Sequence, residues 1–177
     1  MSASTKNIIA REIASKLEMT NKELFGIVDP LSDEQFKQIP FEGSWSIAQV
    51  VEHLWKADTR VMSGLYGKVS DTTRNISQNI STVRDRFLNL STKIDAPATT
   101  IPSDEPVSKP ELTATIKRSR EKMMDAATTL DLTMTCDEAP PAFAEYTRLE
   151  LLHFVLYHTQ RHIHQLKNIR KHLLEKV

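Results

Sequence analysis

The stretch from Glu145 to Leu174 constrains the fold more than any other part of the chain. Its apolar residues recur at Leu149, Leu152, Leu156, Ile163, Leu166, Ile169 and Leu173. That spacing is the period of one face of an α-helix. His158 and His162 stand four residues apart, so their imidazoles project from neighbouring turns on one side. At about 100° per residue they fall on the edge of the apolar stripe. The same wheel puts His153 and His164 on the opposite side, where solvent is expected. A pair of inward histidines in a helical domain is the natural start of a metal site.

The rest of the chain repeats the helical pattern. Residues 5–28 carry Ile9, Ile13, Leu17, Leu24 and Val28 and end at Asp29-Pro30. Ser32 and Gln35 form a capping box that opens a short helix, closed by Pro40 and Gly43. Ser46 and Gln49 form a second box. The helix it opens at Ile47 runs through Val50, Leu54, Ala57, Val61 and Leu65 towards Gly64 and Gly67. His53 lies on the flank of that stripe, while Glu52 and Lys56 make an i,i+4 pair expected on the outside. Residues 72–92 show Ile76, Ile80, Val83, Phe87 and Leu90, a further helical stripe. Asp95 to Pro110 has no period and is punctuated by Pro97, Pro102, Pro106 and Pro110, so it reads as a long connection. Ser108 and Glu111 match another box, before a helix with Leu112, Ile116, Ser119, Met123, Ala127 and Leu130. An irregular stretch with Cys136, Pro140 and Pro141 follows, and Thr147 with Glu150 can cap the last helix.

No segment reads as a strand. The expected fold is all-α: one domain over residues 1–177, with four or five long amphipathic helices packed as an antiparallel bundle, a long crossover connection and a short extra helix.

Composition narrows the function classes. A chain of 177 residues can bury a continuous core. Its 23 basic and 23 acidic residues cancel, which argues against a broad nucleic-acid or anionic-membrane surface. No apolar run reaches the roughly 18 residues of a membrane span. The polar start, Met1 to Asn7, lacks the apolar region of a signal peptide, and the lone Cys136 makes no internal disulfide. A cytoplasmic protein is therefore expected, and the sequons at Asn75, Asn79 and Asn89 read as chance matches.

Divalent ions such as zinc accept neutral imidazole, and catalytic sites commonly use three protein ligands with a position left open. His158 and His162 supply two. His53 is the one histidine outside the last helix and also borders an apolar face. Ligands in a bundle come from facing helices, so its distance in sequence is no obstacle. Spacing alone leaves two readings open: a three-histidine site, or satisfied side chains at the edge of the core. The pair is not His-Glu-x-x-His, so no built-in glutamate base accompanies it.

Other candidates have plainer readings beside the functional one. Trp45 can line a pocket or anchor a helix entry. Tyr157 can donate a proton, yet as His158's neighbour it faces about 100° away. Asp58 and Glu150 can orient ligands, although surface or capping roles suit them better. Arg148 and Arg161 can bind an anion or be solvated helix charges. Met123 and Met124 read as core filler, and Cys136 as an ordinary cysteine.

The segment Trp45-Ser46 with Glu52-His53-Leu54, followed by His158-x-x-x-His162-x-x-Gln165, resembles the DinB/YfiT-like superfamily of metal-dependent enzymes. The resemblance covers essentially the whole chain in element order. It implies a four-helix bundle with His53, His158 and His162 as ligands of a divalent ion, zinc or nickel. Gln165 matches a glutamine of the family pattern with no role assigned, and His164 stands where a small residue is common. Relatives include transferases and isomerases that use low-molecular-weight thiols, and several are homodimers. The implied function is thus a metal-dependent S-transferase or hydrolase-like activity on a small molecule. A non-catalytic metal-binding or stress-response protein is the alternative.

Overall fold

The computed structural model describes residues 1–104 and 108–174. Four long helices dominate: α1 (Ala3–Val28), α3 (Ile47–Tyr66), α5 (Lys109–Thr129) and α6 (Arg148–Leu174). Two shorter ones, α2 (Asp33–Lys37) and α4 (Ile80–Leu88), lie in the connections. Among the described residues the fold is all-α apart from one small ribbon.

Capping chemistry sets several of the boundaries. Both bonds of the box are made at Ser32/Gln35 and at Ser46/Gln49. Thr147 and Glu150 exchange the same pair, backbone N to side-chain oxygen in each direction, at 2.9 and 3.2 Å. Ser108 differs, for its hydroxyl makes no cap bond. The amide of Lys109 instead donates to Asp33 Oδ1, and its ammonium reaches the carbonyls of Asp29 and Leu31. The start of α5 is thus tied to the α1–α2 turn rather than capped by its own sequence.

The four long helices close one ring. Helices α1 and α3 each pack on both α5 and α6. Side-chain contacts fix their directions. Lys117 pairs with Asp29 and Lys6 with Asp131, so α1 and α5 run oppositely. Arg148 Nε donates to the carbonyl of Leu65, which makes α3 and α6 antiparallel. Lys167 with Glu23, and Tyr66 with the carbonyl of Lys122, show that α1 and α6 are parallel, as are α3 and α5. The bundle is therefore antiparallel across only two of its four contacts. Parallel neighbours α3 and α5 require a connection that returns along the bundle, which residues 67–108 provide. That crossover is much longer than the proline-marked stretch alone. Pro106, one of the four expected punctuation points, lies outside the described residues.

Two expectations fail in the connections. Residues 72–92 are not one helix; only Ile80–Leu88 is helical. The preceding polar side chains bind backbone and distant partners instead. Asn75 Oδ1 takes the amide and hydroxyl of Ser77, and the amide of Asn79 donates to Glu150 Oε1 at 2.7 Å. A short antiparallel ribbon also joins Val69–Ser70 (β1) to Thr135–Cys136 (β2), where the chain leaves α3 and approaches α6. Its two residues per strand carry no periodicity to read in sequence.

The buried apolar residues form two clusters along the bundle. One end gathers Leu24, Phe36, Ile47, Leu54, Ile116, Leu166 and Ile169, and the other Ile13, Leu17, Val61, Leu65, Met123 and Leu152. Gly64 belongs to the second end because a Cβ there would meet Leu151 Cδ1 at 2.9 Å. Within the described residues, no helix is long and apolar enough to cross a membrane.

Candidate metal centre

Near the join of the two core halves, α3 and α6 bring His53, His158 and His162 together. The first is set by the helix that Ser46 opens, whose buried face includes Val50, Leu54 and Ala57. The others stand one turn apart on α6. All three are buried, with 4%, 6% and 9% of their surface exposed. One nitrogen of each falls within 4.8 Å of one nitrogen of each other. His158 Nε2 lies 3.1 Å from Nε2 of both His53 and His162.

The outer nitrogens are committed. His53 Nδ1 donates to the carbonyl of Thr100 at 2.9 Å, in the 3-10 turn Ala98–Thr100 of the crossover. His162 Nδ1 donates to Gln165 Oε1 at 2.8 Å. A carbonyl or amide oxygen only accepts, so the protons sit on Nδ1 and the Nε2 lone pairs of both rings point inward. His158 faces them with its own Nε2. A neutral His158 carries one proton, which satisfies at most one of the two 3.1 Å contacts. No distribution of protons over three neutral imidazoles satisfies both.

A cation would satisfy both. Two nitrogens held tetrahedrally at about 2.0–2.1 Å from one zinc stand about 3.3 Å apart. The donor set fits a divalent ion.

Electrostatics keep the rings in the ligand form. Burial lowers the pKa of His53, against which the Thr100 carbonyl acts in the raising direction. Burial, then the neighbouring histidines and arginines, hold His158 well below its ordinary value. Burial and His53 bring His162 down to about 3. All three are neutral at neutral pH.

Aromatic rings wall the site. Phe154 stacks on His158 with centroids 5.0 Å apart and planes at 15°, and Phe87 meets the same ring edge-on at 5.4 Å. Trp45 stands 5.2 Å from His53.

Several residues have other places than sequence suggests. His164 is exposed, but His153 is 9% exposed and donates Nδ1 to the carbonyl of Leu149. Helix α6 is packed by α1, α3 and α4, and its first half, residues 149–156, has no solvent face left for it. Glu52 is not on the outside: it is 5% exposed and accepts from the amide and hydroxyl of Ser103 as well as pairing with Lys56. Asp58 is neither surface nor cap. It is 2% exposed and faces Arg120, also 2% exposed, at 2.8 Å. The stripe of α5 passes through Arg120 rather than Ser119.

Arg161 donates to the carbonyls of Phe87, Asn89 and Thr92 at the end of α4, so it is not a solvated charge. Arg148 likewise holds the carbonyl of Leu65. Glu150 caps α6 and binds Arg74. It lies about 12 Å from His158 along the helix axis, too far to orient it. Tyr157 packs towards His153. Cys136 is buried, which pushes its thiol up to about 11 and leaves it inert.

A profile of the DinB superfamily matches residues 16–166. The chain belongs to that superfamily. It is also 28% identical over 144 residues to the uncharacterized protein YuaE of Bacillus subtilis (strain 168), covering 80% of this chain and 86% of that one. No solved structure gives a significant match. Superfamily membership and the buried histidine cluster together fit a metal-binding protein.

Proposed function

We propose that this DinB protein is one cytoplasmic domain that holds a divalent ion, zinc or nickel, through Nε2 of His53, His158 and His162. The observation that carries the reading is the convergence of three Nε2 atoms that protons alone cannot satisfy. Three neutral ligands leave the full charge of the ion and at least one coordination position for a small molecule. A bound ion there supplies Lewis acidity, lowering the pKa of a thiol or water ligand and favouring its nucleophilic form. The chain's own groups prepare that chemistry. Thr100 and Gln165 fix the tautomers of two ligands, Phe154 and Phe87 exclude water behind the third, and Trp45 offers an apolar wall to an incoming molecule. The resemblance stated above makes a low-molecular-weight thiol the proposed cosubstrate, in an S-transfer to a small electrophile, and a homodimer the proposed assembly. Metal analysis of the purified chain, followed by thiol-transfer assays of the metal-loaded form, tests this reading. A chain that takes up no divalent ion overturns it.

The low exposure of the three rings favours a second reading. A site closed to this degree suits a metal that staples α3 to α6 without turnover. Metal uptake with a large gain in thermal stability, but no displacement of the ion's remaining ligands by thiols, would identify that case.

A further inference from the structure

The carbonyl that fixes His53 belongs to a loop, not to a helix. Between residues 91 and 104, only Thr100 and Pro102 are buried. Arg161 of α6 holds the Thr92 carbonyl, and the polar ties to residues 100–103 come from one turn of α3. Lys56 Nζ donates to the carbonyl of Ile101 at 2.8 Å. Glu52 accepts from the amide of Ser103 at 3.1 Å and from its hydroxyl at 2.9 and 3.0 Å. Glu52 and Lys56 also pair with each other at 2.8 Å. The ties from residues 52, 53 and 56 therefore land on residues 100, 101 and 103, so helix and loop are joined at and around His53.

This arrangement costs something unless it does something. A carboxylate 5% exposed loses hydration, which its bonds to Ser103 and Lys56 must offset. An exposed i,i+4 pair would give helix stability without that loss. What the buried position adds is a fixed loop, and what the fixed loop presents is the Thr100 oxygen at His53 Nδ1. Partners of this kind set the tautomer, orientation and basicity of a ligating histidine.

We infer that Glu52 and Lys56 are positioning residues for the histidine centre, clamping residues 101–103 onto α3 so that the Thr100 carbonyl holds His53 with Nε2 turned inward. The inference rests on the metal reading above. Coupling of this sort is reciprocal: an ion that needs His53 oriented tightens the loop, and a loosened loop weakens the ion.

The test uses the full chain, without and with zinc, and the variants Glu52→Ala, Lys56→Met, Lys56→Arg and Ser103→Ala. Ser103→Ala removes no charge and alters only a loop side chain, so it separates clamping from charge effects and serves if Glu52→Ala does not fold. Zinc affinity is read by competition with a chromophoric chelator, and loop fixation by hydrogen exchange at the Ser103 amide. Glu52→Ala, Lys56→Met and Ser103→Ala should exchange faster there and bind zinc about 10-fold more weakly or worse. Lys56→Arg, which keeps a donor for Ile101, should stay near the parent. Zinc should slow exchange at Ser103 in the parent chain. Variants that free the Ser103 amide but keep parental affinity overturn the inference, as does an amide that remains protected without Glu52. A parent chain that binds no zinc removes the metal reading itself and this inference with it.

Discussion

His162 Nδ1 lies 2.8 Å from Gln165 Oε1, within the same turn of α6. That contact gives Gln165 the role sequence left open: it holds the proton on Nδ1 and turns the Nε2 lone pair towards His158. The spacing of three residues makes the contact local to one helix, so it survives any movement of the neighbouring helices. Replacing Gln165 with Ala should lower metal affinity about 10–100-fold. Gln165→Glu keeps an accepting oxygen and should retain most of it. A competition titration distinguishes the two, and unchanged affinity in the alanine variant would mean packing alone orients His162.

The two faces of α6 separate a ligand from a bystander. His158→Ala removes the nitrogen that stands between the other two and should reduce metal content of the purified protein sharply. His164 is exposed and makes no part of the cluster, so His164→Ala should leave metal content at the parental level. Elemental analysis reads both. The opposite outcome would place the wrong histidines on the site.

Acid should act on the metal-free fold as well as on the ion. His53, His153, His158 and His162 all have folded pKa values below the ordinary 6.5, chiefly through burial. The unfolded chain therefore binds more protons than the native one below about pH 6.5, and stability rises with pH there. It is fully present above pH 6.5 and is lost as pH falls towards the folded values, about 3 for His162. Asp58 acts in the opposite direction, since burial raises it to about 6, so the native state holds the extra proton between 3.8 and that value. Four histidines against one carboxyl leave a net loss on acidification. Urea unfolding of the metal-free chain at pH 7.5, 6 and 5 should show a falling midpoint with little change in slope. A midpoint that rises towards pH 5 would contradict the sign.

How much of this was legible in the sequence depended on how local its cause is. Apolar stripes and capping boxes act within a turn or two, and Ser46/Gln49 and Thr147/Glu150 read correctly for that reason. Glu52 with Lys56 was visible as a pair, but Ser103, the partner that buries it, stands 51 residues away. Residues 72–79 carry helix-compatible spacing and lose the helix to Glu150, 71 residues on from Asn79. His153 fails because a helical wheel assumes one solvent face, and the first half of α6 is buried all round, residues 149–156 without exception. The Thr100 carbonyl has no sequence signature, being backbone. Arg120 did leave a signal, since it stands four residues after Ile116 and three before Met123 on the buried face of α5. A charge in that register calls for a buried partner, and Asp58 supplies it.

Asp58 and Arg120 offer the sharpest stability test. Their contact at 2.8 Å is an ion pair by distance but not an aligned hydrogen bond, for Asp58 Oδ2 and Arg120 Nε have no hydrogen-bond partner among the described residues. Arg120 is held further by Nη1 donating to Thr159 Oγ1 at 2.8 Å. Removing one charge strands the other in the core. Asp58→Leu and Arg120→Met should each destabilise the fold by about 3–5 kcal/mol, whereas the two together, apolar residues of similar volume on both sides, should cost far less than either alone. Denaturant unfolding of the metal-free chain measures the cycle without contribution from an ion. If the double variant is destabilised by the sum of the singles, the two charges do not depend on each other, and Arg120 is held by Thr159 and packing instead.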